Sequence, residues 1–281
     1  MATRAVSAFV YAALLLFLAV RGGGAWAALV GLFCLLGVRE ACNLTRACGA
    51  DAREGIALAA ALAMPTALLL DGPRALVPIL ILTVLAAGLD QVIRPPERRR
   101  LTDWLATIAL PTAVALPLAH LVSLRRLSWP GGEEAGPAWL LLVLGLVWAN
   151  DTAAYLAGRA FGRRPFFPSI SPKKTWEGAI AGLLACGLLG AFLPRLVGGW
   201  GALTAAGDGP LPAWQGLLLG LLLAATGTVG DLVESVMKRQ AGVKDSGSLI
   251  PGHGGILDRV DSLIWVAPVA YYLVARLTGG A

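Results

Sequence analysis

Between residues 231 and 262 the chain gathers Asp231, Glu234, Lys238, Arg239, Lys244, Asp245, His253, Asp258, Arg259 and Asp261 around the run Gly252-His253-Gly254-Gly255. Carboxylates hold hard, oxygen-ligated cations, chiefly Mg²⁺. Lysine and arginine neutralise phosphate charge, and glycines let backbone N–H groups approach phosphate oxygens as a nest. Together these types suit phosphoryl or nucleotidyl transfer, in which catalysis is mostly positioning and charge stabilisation. Asp231, Glu234, Ser235 and Lys238 stand at i, i+3, i+4 and i+7, on one face of a helix end. That face also reads as a self-neutralised polar stripe, but the charges that follow exceed what one stripe needs. Asp258, Asp261 and Ser262 repeat the i, i+3, i+4 pattern at the expected start of the last helix, whose N-terminus favours anions. The glycine run is not a Walker loop, since it lacks the Gly-Lys-Ser/Thr ending, and no G-x-S-x-G nucleophile elbow occurs in the chain.

Two upstream stretches add to the set. In "VWANDTAAYLAGRAFGRR", Asn150 and Asp151 fall inside an apolar run, where a carboxylate is expected to face a polar cavity, a cation or a basic partner. Asp151, Tyr155 and Arg159 share one helical stripe, which fits a ligand site or an interhelical polar contact. In "PSISPKKTWEG", Lys173 and Lys174 precede the next apolar run. Paired ammonium groups there could hold phosphates, or could simply mark the inner face of a membrane.

The elements that must position these groups are apolar. The chain of 281 residues is 57% hydrophobic and 14% charged, with mean hydropathy +0.72, which excludes an ordinary soluble domain and a disordered one. Apolar runs near 5–20, 24–38, 55–70, 74–90, 104–123, 138–158, 177–197, 212–236 and 262–278 predict an all-α polytopic integral membrane protein with about nine transmembrane helices. With a cytoplasmic N-terminus, 17 of the 23 Lys and Arg residues fall on inner segments and 6 on outer ones, the bias that the positive-inside rule demands. The positive charge is thereby a topology signal, and no nucleic-acid partner is expected. Residues 1–136 read as N-terminal spans, about five, and 137–281 as the catalytic region with cytoplasmic loops. In the first part "RPPERRR" reads as an inner loop near anionic headgroups or a plain topology signal, and His120 as a packed or interfacial histidine. Trp26, Trp104, Trp139, Trp214 and Trp265 lie near span ends, as interfacial anchors or bulky packing residues would. Gly216 and Gly220 suit close helix packing, and such small-residue faces are compatible with a homodimer.

The 231–262 segment resembles the signature of the phosphatidate cytidylyltransferases, or CDP-diacylglycerol synthases. That signature runs Ser-x2-Lys-Arg-x4-Lys-Asp-x5-Pro-Gly-His-Gly-Gly-x2-Asp-Arg-x-Asp. Here it is filled by Ser235, Lys238, Arg239, Lys244, Asp245, Pro251, Gly252, His253, Gly254, Gly255, Asp258, Arg259 and Asp261. "NDTAAYLAGRAFGRRP" and "SPKKTWEG" look like companion motifs, so the resemblance covers about residues 148–262. It implies the reaction of CTP with phosphatidic acid to give CDP-diacylglycerol and pyrophosphate, Mg²⁺ dependence with a second cation inferred beside the first, and a cytoplasm-facing site in the bacterial inner membrane. Asp231 and Asp258 match the family's metal-binding carboxylates, and Asp261 is a further candidate ligand. Asp231, Lys238 and Asp258 are the catalytic candidates. Lys238, Arg239, Lys244, His253 and Arg259 are candidate phosphate contacts, with Asp151, Lys173 and Lys174 as a second wall. Two other readings are a CTP-dependent polyprenol kinase, disfavoured by the complete signature, and an anion transporter, disfavoured by the asymmetry of the two halves.

Overall fold

The computed structural model describes residues 2–128, 134–197, 211–249 and 254–277. All nine apolar runs are helical: α1 (Ala2–Arg21), α2 (Gly23–Ala47), α3 (Glu54–Leu70), α4 (Leu76–Ile93), α5 with α6 (Leu101–Leu110 and Leu116–Arg125), α7 (Gly136–Phe161), α8 (Trp176–Val197), α9 (Ala213–Gln240) and α10 (Leu257–Leu277). In hydrocarbon, backbone groups must be satisfied within the segment, and a helix does this locally. Among the described residues seven helices are long and apolar enough to cross a membrane, and Ala12–Arg21 and Glu54–Leu70 are shorter apolar ones. The protein is an all-α polytopic membrane protein with one addition that the sequence did not predict. Residues read as loop form a small antiparallel hairpin, β1 (Pro165–Phe167) and β2 (Ser171–Thr175), with Pro165 opposite Thr175 and Phe167 opposite Ser171.

The chain divides into two compact units, one of Met1–Ser123 with Val236–Ile264 and the other of Leu124–Ser235 with Trp265–Ala281. In the first unit, the α5–α6 span carries a π-helical turn at Pro111–Ala115, where the proline lacks the N–H that an α-helix would use. The widened turn supplies Ala115 as carbonyl acceptor for the buried Cys34 thiol and places Val114 against Gly37. Trp26 is buried and donates its indole N–H to the Leu121 carbonyl at 3.0 Å. His120, also buried, turns Nδ1 to the Leu116 carbonyl one turn back, as a packed histidine would. A polar knot ties the α4 end to neighbouring chain: Asp90 pairs with Arg53 at 3.0 Å and Arg94 at 2.6 Å, while buried Asp103 accepts from the Asp51 N–H at 2.8 Å. Arg94 of the "RPPERRR" run is thus a structural partner, whereas Arg98, Arg99 and Arg100 are exposed.

In the second unit the helices approach through glycines. A Cβ at Gly216 or Gly220 would collide with the Gly190 or Cys186 carbonyl, so this face of α9 packs against α8. Lipid tails are as apolar as leucine, so such contact depends on van der Waals fit rather than on a hydrophobic drive. Gly182 makes equal room for Asn150, a buried residue of α7. Trp139 is buried and is therefore a packing residue like Trp26, while Trp214 and Trp265 are exposed at the helix surface as anchors would be. Gly220→Leu is expected to separate α8 from α9 and to destabilise by at least about 1–3 kcal/mol, the usual cost of overpacking. Gly145→Ala, where a Cβ meets nothing within 4 Å, is expected to hold or raise the melting temperature. Thermal unfolding of the two variants in detergent, followed by size-exclusion chromatography, reads the contrast.

Candidate active site

In the first unit the signature residues converge on Asp258, in the first turn of α10. Its Oδ1 accepts from Lys238 Nζ at 2.6 Å, with side chains only 7% and 11% exposed. Its Oδ2 accepts from the Ser246 N–H at 2.8 Å, the Ser246 hydroxyl at 2.9 Å and the Gly255 N–H at 2.8 Å. The carboxylate thereby ties α9, Ser246 and Gly255 to the start of α10. Gly254 has φ +78°, a left-handed conformation natural to glycine, and a Cβ there would stand 2.6 Å from Asp258 Oδ2. The loop reaches Asp258 because glycine leaves that space empty.

A second carboxylate, not singled out from the sequence, lies beneath the same loop. Glu40, near the end of α2, is buried and accepts from the Ile256 N–H at 3.0 Å, the Leu257 N–H at 2.8 Å and the Ser246 hydroxyl at 2.8 Å. The first N–H groups of a helix have no partner within it, and Ile256, whose carbonyl begins the α10 ladder, has no side chain able to cap them. Glu40 supplies the acceptors from 216 residues away. Cβ atoms at Gly247 and Gly255 would run into its carboxylate. The available signal was a carboxylate at the end of an apolar run, and beside Arg39 it resembled ordinary inner-face charge.

The remaining signature groups of this unit are peripheral. Arg239 is exposed and donates to the Val243 carbonyl at 3.0 Å, which closes the turn after α9. Lys244 and Arg259 are exposed. Asp261 is half-buried one turn after Asp258, and its Oδ1 accepts from the Ser262 N–H. His253 lies outside the described residues.

In the second unit α7, the hairpin, α8 and α9 enclose a cavity of about 460 Å³. Asp151, Arg159, Lys173, Lys174 and Asp231 give it charge, while Ala154, Tyr155, Phe166 and Ala179 give it apolar wall. The volume is that of a small-molecule site. Lys174 Nζ is ion-paired with Asp231 Oδ2, so one of the two lysines of "SPKKTWEG" reaches a carboxylate of the signature helix, while Lys173 lines the cavity. The hairpin presents them: Phe166 packs edge-on against Trp176 at 4.5 Å, and Glu177 accepts from the Arg163 and Arg164 N–H groups, fixing the hairpin to the start of α8. Gly158 and Gly178 let α7 and α8 close tightly behind Thr175.

Asp231 has a second acidic neighbour. Glu234, one turn on along α9, is 4% exposed, and its carboxylate oxygen approaches that of Asp231 within 4.8 Å. Two carboxylates so close in an apolar helix call for positive charge, and Lys174 provides some of it. Among the described residues no thiolate or imidazole joins this acidic group, and carboxylate oxygens alone are the donor chemistry of Mg²⁺. The residues present fit a divalent cation held by oxygen.

The cytidylyltransferase family model matches residues 2–277. Phosphatidate cytidylyltransferase 5, chloroplastic, of Arabidopsis thaliana is 47% identical over 159 residues, 54% of this chain and 37% of that protein. The phosphatidate cytidylyltransferase of Synechocystis sp. is 45% identical over 157 residues, 53% of this chain and 48% of its own. That of Brucella suis biovar 1 is 45% identical over 144 residues, covering 50% and 48%. The chain spans less than half the length of these relatives. Matched from residue 2 to residue 277, it belongs to the cytidylyltransferase family.

Proposed function

We propose that the protein is a phosphatidate cytidylyltransferase, which joins CTP and phosphatidic acid into CDP-diacylglycerol with release of pyrophosphate. The observation that carries this reading is the second-unit cavity, whose charged groups and apolar wall suit phosphate beside hydrocarbon. Relatives bearing that name at about 45% identity support it. A phosphate oxygen of the lipid attacks the α-phosphorus of CTP, the bond to the bridging oxygen of the β-phosphate breaks, and pyrophosphate leaves with that electron pair. The attacking phosphate is ionised near neutral pH, so no strong general base is required, and His253 is given no proton to move. Lys173, Lys174 and Arg159 draw the phosphates to the cavity, and Asp151 sets its polar edge. Lys238 neutralises charge beside Asp258, and Arg239, Lys244 and Arg259 are further phosphate contacts in this reading.

In this reading Asp231, with Glu234 beside it, and Asp258 are the carboxylates for Mg²⁺, Asp261 is a further candidate ligand, and a second cation of unassigned identity belongs to the same reading. When bound, Mg²⁺ neutralises the charge that develops on the phosphates. The first spans, within 1–136, support the loop rather than touch substrate, and the catalytic region is 137–281. The site faces the cytoplasm of a bacterial inner membrane, where CTP is available and the tails of phosphatidic acid stay in the bilayer. A homodimer would need a surface other than Gly216 and Gly220, which already face α8.

The test supplies purified protein in detergent with labelled CTP, phosphatidic acid and Mg²⁺. Equal yields of lipid-linked CMP and pyrophosphate are expected, and EDTA should abolish both. CDP with a phosphorylated lipid would mean a kinase, and absence of CTP binding by a monodisperse sample would remove nucleotide chemistry altogether.

A further inference from the structure

We infer that Glu40 is a positioning residue for the reaction: from α2 it holds the loop before α10 and the first turn of that helix, and so sets where the Asp258 carboxylate stands. The case rests on four facts within the first unit. The Glu40 carboxylate is buried and takes the Ile256 and Leu257 N–H groups, the two donors at the head of the helix that carries Asp258. It shares the Ser246 hydroxyl with Asp258, which links the two carboxylates through one side chain. Gly247 and Gly255 have no room for a Cβ because Glu40 occupies it, so the loop is fitted to this side chain. Gly37, one turn before Glu40, brings α2 close enough for Leu257 and Val114 to lie against it.

A carboxylate is the group this position demands. It offers acceptors in two directions, whereas an amide offers one acceptor and one donor. In Glu40→Gln the new NH₂ would confront either Ile256 N–H or the Leu257 and Ser246 donors. Glu40 itself touches no substrate in this scheme, so its loss should alter the geometry of Asp258 rather than the capture of CTP.

The activity readout rests on the cytidylyl-transfer reading; the exchange readout does not. In Glu40→Gln, hydrogen exchange measured by mass spectrometry should accelerate in peptides covering Gly254–Asp261 while the other helices stay protected. With phosphatidic acid and CTP, kcat should fall about 10- to 100-fold, the usual result of removing the support of a ligand residue, and KM for CTP should move by less than about threefold. Gly247→Ala tests the same contact from the other side, because its methyl would stand 2.6 Å from Glu40 Oε1. It carries the experiment by the same criteria should Glu40→Gln fail to fold. Unchanged exchange at 254–261 would overturn the proposal, as would kcat kept within about twofold of wild type. A wild-type protein that forms no lipid-linked CMP would sink the assigned reaction and leave exchange alone to decide the anchoring of Glu40.

Discussion

Asp258→Asn is expected to lose both turnover and stability. The Lys238–Asp258 pair is almost wholly enclosed, and removing one partner of such a pair usually costs about 3–5 kcal/mol. Asparagine keeps one carbonyl oxygen for Ser246 N–H and Gly255 N–H, which holds the loss toward the lower figure. Turnover should fall further than stability alone explains. If Asp258 contributes several kcal/mol of charge stabilisation through a bound cation, the rate should drop about 10²- to 10³-fold in the fraction that remains folded. Lys238→Met separates the two effects. It leaves Asp258 its three contacts from Ser246 and Gly255, so the protein should melt higher than Asp258→Asn while turnover still falls. Melting curves and single-turnover formation of lipid-linked CMP, measured on the same preparations, decide the matter. Full Mg²⁺-dependent turnover in Asp258→Asn would remove Asp258 from the metal site.

Asp231→Asn is expected to show the opposite balance. Its partner Lys174 is 28% exposed and Asp231 is 33% exposed, so the pair is open to solvent and worth no more than about 1 kcal/mol. The melting temperature should scarcely move. Turnover should nevertheless fall about 10²- to 10³-fold, because the carboxylate proposed to hold Mg²⁺ beside Glu234 is lost. Raising the Mg²⁺ concentration should restore part of the rate if Glu234 and the remaining acids still attract the cation. Lys174→Ala should be milder and should raise KM more than it lowers kcat, as expected of a group that binds a phosphate in ground and transition states alike. Equal stability losses in Asp231→Asn and Asp258→Asn would contradict the difference in burial on which both expectations stand.

Much of this was legible before any coordinates, and for definite reasons. The apolar runs announced helices because their length alone answers the demand for satisfied backbone in hydrocarbon. The 231–262 segment announced itself because the groups that meet there are close in sequence; Lys238, Ser246, Gly255 and Asp258 are joined by hydrogen bonds over only twenty residues. Glu40 was hidden for the converse reason, since its partners stand more than two hundred residues away and nothing local distinguishes it from inner-face charge. The Asp90–Arg94–Asp103 knot was hidden within what passed for a run of topology-setting arginines. Prolines and lysines at 165–175 looked like loop, and the hairpin they form is held by Trp176 and Glu177 at the head of α8 as well as by its own strand pairing. Trp26 and Trp139 illustrate the same limit: position near a span end cannot distinguish an anchor at the interface from a ring packed inside.

The Ser246 hydroxyl has two acceptors and a single hydrogen. Glu40 and Asp258 lie at 2.8 and 2.9 Å from the same oxygen, and one hydroxyl proton can point at only one of them. When it turns toward Glu40, Asp258 is left with Lys238 and two backbone N–H groups; when it turns toward Asp258, Glu40 is left with Ile256 and Leu257. Serine thus acts as a rotor between two carboxylates that have no direct hydrogen bond to each other. The negative charge that Asp258 presents is trimmed or released by a rotation about one C–O bond.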